Sequence, residues 1–538
     1  MNALNKPSPL SALTWQTRTP ADIRTALLRR DEVALLDVRD EALFAKAHPL
    51  FAANIPLSRL ELEISSRVPR LSTPITVYDG GEGLAEKAAY RLIALGYQDV
   101  ALLQDGLEGW KVAGLELFQD VNAPSKAFGE WVEHYRRTPS LSAQDVKALL
   151  DAQADVVVMD ARRFDEYQTM SIPGGISVPG GELALRARAL APDPNTQIIV
   201  NCAGRTRSLI GAQSLIDAGL PNPIAALRNG TIGWTLAGLH LEHGQSRRFG
   251  EVDAATRERS AQAARALADR TGVRRATLHN LKQWVEDTAR TTYRFDVRTP
   301  DEYARGHLPG FRSTPGGQLI QETDHVASVR GARIVLADDD GTRANMAAAW
   351  LKQMGWDSYV LDGTTSEHYN EIGPWNANLP PAPAAAHVSA TALAEWLKND
   401  DTQLLDLTSY SNYVSQHIPS AYWVIRALLP EALESLPAAK RYVLTCGSSL
   451  LARYAVPELE ALSGKPVYLL EGGTAAWKAQ GLPMETGDRG AVSPAIDRYR
   501  RPYEGTDNPH EAMQAYLEWE YGLVEQLRRD GTHFFKVL

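Results

Sequence analysis

Short apolar runs alternate with polar, helix-like stretches along this chain, and the alternation repeats four times in one order. The first set opens with ALLDVRDEALFAKAHPL, in which Asp37 ends the apolar run. The second has VVVMDARRFDEYQTMSIPGG with Asp160, the third YRFDVRTPDEYARGHLPG with Asp296, and the fourth QLLDLTSYSNYVSQHIPS with Asp406. Each reads as a buried strand ending in Asp, then a short polar helix, then a proline-containing turn. A second strand follows in every set: ITVYDG, IIVNCAG, RIVLADDDG and YVLTCGS. The spacing from the heading Asp to the end of this strand is the same in three sets, namely Asp37 to Asp79, Asp160 to Cys202 and Asp296 to Asp338. It is slightly shorter in the fourth, Asp406 to Cys446. A helical stretch and a third strand then lead to LLQDGLEGW, ALRNGTIGW, VLDG and LLEGGTAAW, with Trp110, Trp234 and Trp477 marking three copies.

Strand and helix in alternation predict an α/β fold of four tandem units, each a mostly parallel sheet flanked by helices. The units span 1–122, 123–250, 251–378 and 379–487, and a helical tail occupies 488–538. The proline-rich LPPAPAAAH at 379–387 reads as a linker. The charged, alanine-rich stretch 250–272 reads as a surface helix bridging the second and third units. In the tail, Leu517, Tyr521 and Val524 are spaced for one helical face, which packs onto the body or onto a second copy.

Composition narrows the function. The chain has 538 residues, 44% of them hydrophobic, enough to build a core in each unit. A formal net charge of −9 argues against a nucleic-acid binder. No apolar run reaches bilayer length, and the opening MNALNKPSPLSALTWQ lacks the pattern of a secretory signal, so the expected setting is cytoplasmic, with no membrane partner. Cys202 and Cys446, the two cysteines, fall in different units, which makes a disulfide framework implausible.

Cys202 ends a buried strand and is followed by Ala203, Gly204, Arg205, Thr206 and Arg207 before a helix expected to begin near Ser208, its candidate cap. Sites in α/β sheets form beyond the carboxyl ends of strands, and a helix start favours negative charge. That placement, with Arg205 and Arg207 beside it, is expected to lower the thiol pKa. Ala203, Gly204, Thr206 and Ser208 supply amides and hydroxyls for an anion, and the arginines supply fixed charge. A nucleophilic sulfur in an anion cradle suits a small anionic sulfur donor such as thiosulfate. Sulfite leaves, a persulfide stays on Cys202, and cyanide or a thiol collects the sulfur; no cofactor or metal is required.

With these parts the chain resembles the rhodanese, or thiosulfate sulfurtransferase, family, in its four-domain form. The resemblance rests on the Asp-x-Arg starts (Asp37/Arg39, Asp160/Arg162, Asp296/Arg298), RGHLPG at 305–310, the NCAGRTRS loop and LRNGTIGWTLAG at 227–238. It covers residues 15–120, 138–244, 276–365 and 385–487. It implies that Cys202 is the persulfide-forming cysteine and that the six-residue loop ends at Arg207. Related phosphatases place five residues between cysteine and arginine; here there are four, which suits a sulfur-centred anion. The alternatives are 3-mercaptopyruvate as donor through the same persulfide, or a sulfur-carrying interaction scaffold that meets a protein sulfur acceptor. Oligomeric state has no signal in the sequence.

The other units lack parts of this loop. Asp79 and Asp338 stand where the cysteine would be, so the first and third units are expected to be silent, with the Asp338–Asp340 run a solvated turn. Cys446 is a candidate second site, but Ser449 and Leu451 replace the arginines. His48, His307 and His417 recur at one repeat position, while the second unit has Ser171 there; this suits a shared structural hydrogen bond.

Overall fold

The computed structural model describes residues 15–399 and 401–538; the opening stretch discussed above lies largely outside them. Four five-stranded sheets follow one another. In the second unit the strands are β1 (Ser140–Leu141), β2 (Val156–Asp160), β3 (Ile176–Ser177), β4 (Gln197–Asn201) and β5 (Ile224–Leu227). They lie side by side as β1-β5-β4-β2-β3, and all four sheets share this order. Every pairing in this sheet is parallel, with Asp160 level with Asn201. Val200 and Ile199 in the centre are fully buried, as expected where helices cover both faces. Asp160 and Cys202 therefore emerge at one edge, the carboxyl end of the sheet.

Helices between the units are more deeply packed than their composition suggests. Helix α1 (Ala123–Arg136) joins the first two units and is buried from Ala123 to Glu130. It packs against α2 (Thr206–Asp217), the helix after the Cys202 loop; α3 (Gly230–Leu236) follows β5. The 250–272 stretch forms α4 (Ala254–Thr271), but not simply as a surface bridge. Its Ala264, Leu267 and Ala268 are buried, and it lies along α5 (Arg343–Gln353) of the third unit. Small alanines let the two helices approach, so a polar composition still yields a packed helix.

The tail folds back onto the body as α6 (His510–Tyr521) and α7 (Leu523–Asp530), which break at Gly522. The expected face is revised by that break. Met513, Tyr516, Leu517 and Glu520 are the buried positions of α6, whereas Tyr521 is 51% exposed; Val524 belongs to the second helix. Among the described residues no helix is long and apolar enough to cross a membrane.

The recurrent histidines act within the fold. The rings of His307 and His417 stack on Tyr303 and Tyr413 and pair through Nδ1 with the carbonyls of the same tyrosines. His48 stacks on Phe44 and pairs with the carbonyls of Pro49 and Asp120.

Contacts between units are tight and charged. A Cβ on Gly181 would lie 2.8 Å from the Gly317 nitrogen, so glycines let the second and third units touch through backbone. Beside them Arg343, fully buried, reaches Glu182 of the second unit at 2.9 Å, Glu302 at 2.6 Å and Asp340 at 2.6 Å. Arg426 of the fourth unit reaches Glu61 of the first at 2.7 Å. Removing one partner of a buried pair strands the other, which costs about 3–5 kcal/mol. Arg343→Ala is therefore expected to lower the denaturant midpoint by a corresponding amount; an unchanged midpoint would show that the pair contributes nothing to the junction.

Candidate active site

Cys202 follows β4 directly, and its loop is fixed from behind by α3. The N–H groups of Thr231 and Ile232 donate to the carbonyls of Cys202 (2.9 Å) and Ala203 (3.0 Å). Gly230 lies so close that a Cβ would sit 2.2 Å from the Cys202 carbonyl oxygen, and its φ of +54° also favours glycine. Because a trans peptide points its N–H opposite its C=O, tying these carbonyls to α3 turns the following amides the other way. On the opposite side of the loop, α1 presents Gly129, whose missing Cβ leaves room for Thr206.

Two other units reveal where such amides point. In the first, the Asp79 carboxylate accepts N–H bonds from Gly81 (3.0 Å), Leu84 (2.5 Å) and Ala85 (3.0 Å). In the third, Asp338 accepts from Gly341 (3.2 Å) and Ala344 (2.9 Å). A carboxyl group in place of the sulfur thus occupies the amide cradle in both units. The expected solvated turn is corrected here as well: Asp340 is buried and bound by Arg343 and by the Thr342 N–H. Asp338 is pushed up to about 8 by burial and by the neighbouring Asp340 charge.

Around Cys202 several expectations change. Helix α2 starts at Thr206, so Ser208 lies in its first turn and does not cap it. The Ser208 hydroxyl instead donates to the Arg205 carbonyl (2.8 Å) and accepts from the Cys202 thiol (3.4 Å). The thiol is 2% exposed. Burial pushes its pKa up from the ordinary value, against the pull of Arg207 and of the Ser208 hydroxyl and amide, and Glu520 adds to the rise. The expected depression does not occur, because desolvation of the thiolate outweighs the single nearby cation.

The two arginines have different duties. Arg205 spends its donors on neighbours: Glu130 twice (2.7 and 2.9 Å), Glu133, Asn229 and the Tyr521 hydroxyl. It also stacks on the Tyr521 ring. It braces the loop, α1 and the tail together and is no longer assigned to the anion. Arg207 pairs with Glu166 at 2.7 and 2.9 Å through its two terminal nitrogens. Burial opposes the Glu166 charge, yet Arg207 and Arg162 hold its pKa down at about 2. Arg207 alone of the pair retains an acting charge toward Cys202. Behind the loop, Arg162 is locked on Asp160 (2.7 Å), which also accepts from Asn201 (2.9 Å).

The tail contributes residues that repeat analysis did not find. Ala203 packs with Ile232, Tyr503, Met513, Tyr516 and Leu517. Gly204 faces Tyr516 and Glu520: a Cβ there would lie 3.1 Å from the Tyr516 ring and 3.5 Å from a Glu520 oxygen. The other Glu520 oxygen accepts from the Tyr516 hydroxyl at 2.8 Å. Burial and Glu130 push Glu520 up to about 8, against Lys126, Tyr516 and Arg205. Of the expected anion-binding group, Ala203 and Gly204 are thus covered by the tail, and the Thr206 hydroxyl is buried without a partner. The aromatic pattern of 503–519 was the available signal, but no repeat marks it.

Cys446 takes the matching place in the fourth unit and is 6% exposed. Burial raises its pKa, while the amides of Ala452, Leu451 and Ser448 pull it down. Ser449 and Leu451 stand where the second unit has Arg205 and Arg207, and its heading Asp406 keeps one buried oxygen unpaired, Thr408 standing where the second unit has Arg162. Burial lifts Asp406 to about 7.

Comparisons with known proteins extend this picture. A family pattern described as Rhodanese-like domain matches residues 19–113, 142–237, 277–371 and 389–480. The crystal structure of a thiosulfate sulfurtransferase from Pseudomonas aeruginosa superposes on 97% of this chain and 100% of its own, with 67% identity and a TM-score of 0.97. A putative sulfur carrier protein YrkF of Bacillus subtilis (strain 168) is 27% identical over 123 residues, 21% of this chain and 65% of that protein. An uncharacterized protein, slr1261, of Synechocystis is 34% identical over 99 residues, 18% of this chain and 54% of that protein. The chain thus spans less than two thirds of the length of these last two.

The balance at the thiol gives a direct test. The ultraviolet absorbance of thiolate, taken as the difference between wild type and Cys202→Ser, is expected to develop above the ordinary midpoint of 9.0. Arg207→Gln should move it up by about 1 pH unit more. A midpoint below 9.0 would overturn the dominance of burial.

Proposed function

The chain belongs to the rhodanese-like domain family, and from that premise we propose that it is a thiosulfate sulfurtransferase working through a persulfide on Cys202. One observation carries the reading: the loop amides that a carboxylate fills in the first unit have, in the second, a sulfur nucleophile at their centre and Arg207 at their end. The activity of the Pseudomonas aeruginosa relative, similar along its full length, supports the same donor.

The steps follow from the charges. Arg207 favours the Cys202 thiolate, and the Ser208 N–H and hydroxyl share its charge. The thiolate attacks the outer sulfur of thiosulfate. The bond between the two thiosulfate sulfurs breaks, and sulfite leaves with its electron pair. The negative persulfide then lies where Asp79 and Asp338 hold their carboxylates in the sister units. Cyanide attacks the outer persulfide sulfur, thiocyanate departs, and the Cys202 thiolate returns. In this reading Arg205 positions the loop, and the first and third units serve as packing partners. The divisions at residues 122, 250, 378 and 487 separate the units, and two free thiols suit the reducing cytoplasm.

Intact-mass measurement after thiosulfate treatment is expected to show one added sulfur atom, lost on adding cyanide. Cys202→Ala should abolish the gain and Cys446→Ala should keep it. No gain in the wild type removes the proposed function, whereas a gain that persists in Cys202→Ala transfers it to Cys446.

Arg207→Ala should slow loading by on the order of 100-fold, the scale of losing one oxyanion donor. Unchanged loading would strip Arg207 of its part.

A further inference from the structure

Glu520 is a buried acid that neither the packing of the units nor the steps above employ. It lies on α6 and is fully buried. One of its oxygens accepts from the Tyr516 hydroxyl at 2.8 Å. The other has no hydrogen-bond partner and is turned to the Cys202 loop, 3.5 Å from where a Cβ on Gly204 would stand. Gly204 is two residues past Cys202. A carboxyl group from the distant tail is thus pressed, out of water, against the loop that carries the sulfur.

The cations around it are committed elsewhere. On α1, Lys126 is bound to Asp120 at 2.7 Å, and its ammonium faces the rings of Tyr503, Tyr516 and Trp519 at 5.1–5.6 Å. Arg205, in the loop, is held by Glu130 at 2.7 Å and by Glu133, both also on α1. Among the described residues no cation forms an ion pair with Glu520. A carboxylate so placed meets burial and a like charge without a counterion of its own, so the neutral acid is favoured. Burial and Glu130 accordingly raise its pKa to about 8. On the thiol its charge acts in the opposite sense to Arg207: Arg207 favours the Cys202 thiolate and ionised Glu520 opposes it.

We infer that Glu520 is a positioning residue for the sulfur transfer proposed above: as a neutral acid it lets the Cys202 loop gather negative charge, and on ionising it opposes that charge. The inference rests on the persulfide reading. Its sign follows from the order of the titrations. Below about pH 8 Glu520 is neutral, and thiolate and persulfide meet Arg207 without a rival charge. Above it Glu520 gives its proton to solvent, and each further anion at Cys202 forms against a fixed negative neighbour. By reciprocity, an anion in the loop holds the proton on Glu520 more firmly.

The test uses the full-length wild type, Glu520→Gln and Tyr516→Phe. Glutamine keeps an oxygen for the Tyr516 hydroxyl but never ionises. The Cys202 thiolate midpoint is read by ultraviolet absorbance, each protein against its own Cys202→Ser counterpart, and the rate of thiosulfate loading is followed from about pH 6.5 to 9 by intact mass. Glu520→Gln is expected to lower the thiolate midpoint by about 0.5 unit, and the ratio of its loading rate to that of the wild type should rise roughly threefold from the acid to the alkaline end, the same free energy read twice. Tyr516→Phe removes the donor that favours ionised Glu520, so its rate should depart from the wild type in the same direction; it carries the test alone if Glu520→Gln does not fold. Equal thiolate midpoints, or a rate ratio that is the same at every pH, as a merely structural role would give, overturns the inference. Absence of loading in every protein would instead remove the function proposed above, and the thiolate midpoints would still decide the role of Glu520.

Discussion

A guanidinium taken out of water must find a carboxylate, and that requirement organises this molecule. Arg162 on Asp160, Arg205 on Glu130 and Glu133, Arg207 on Glu166, Arg343 on Glu182 and Arg426 on Glu61 are all such pairs. Some lie within a unit and hold its strand ends. Others cross between units or reach a connecting helix, and they fix how four similar bodies meet. Loop arginines that look free for catalysis in the sequence are therefore subject to the same demand. Arg205 gives all its charge to bracing; Arg207 shares its charge between Glu166 and the sulfur.

Repetition makes the chemistry readable. One loop geometry occurs with Asp79, Cys202, Asp338 and Cys446 at its centre. In the acidic copies the peptide amides bind a carboxylate that belongs to the chain, which both satisfies the amides and closes the place to an outside anion. In the second unit a sulfur takes that position, and a negative persulfide would inherit the same stabilisation. The fourth unit keeps sulfur and amides, but Ser449 and Leu451 take the places of the two loop arginines, which separates its thiol-bearing loop from that of the second unit.

The tail joins the candidate active site to the rest of the molecule. Tyr516 and Glu520 cover Gly204, Tyr521 stacks on Arg205, and Arg501 and Tyr503 line a neighbouring cavity. The second unit is thus not a free-standing site with three spectators. Its outer wall comes from residues three hundred or so positions away, flanked by walls from the first and third units.

Sequence alone determined the four α/β units, the strand-end position of Cys202 and the replacement of cysteine by Asp79 and Asp338. These are local facts: periodicity and spacing dictate which backbone groups share a sheet edge. The structural use of His48, His307 and His417 was also legible, since they recur in units without cysteine. Tertiary structure decided the rest. The direction of the thiol pKa, the loss of Arg205 to Glu130, the start of the helix at Thr206 rather than Ser208, and the closure by Tyr516 and Glu520 all depend on desolvation and on partners far away in the chain. Charge and burial act through space, and no spacing rule within a repeat contains the distance from Arg205 to Glu130 or from Gly204 to Glu520.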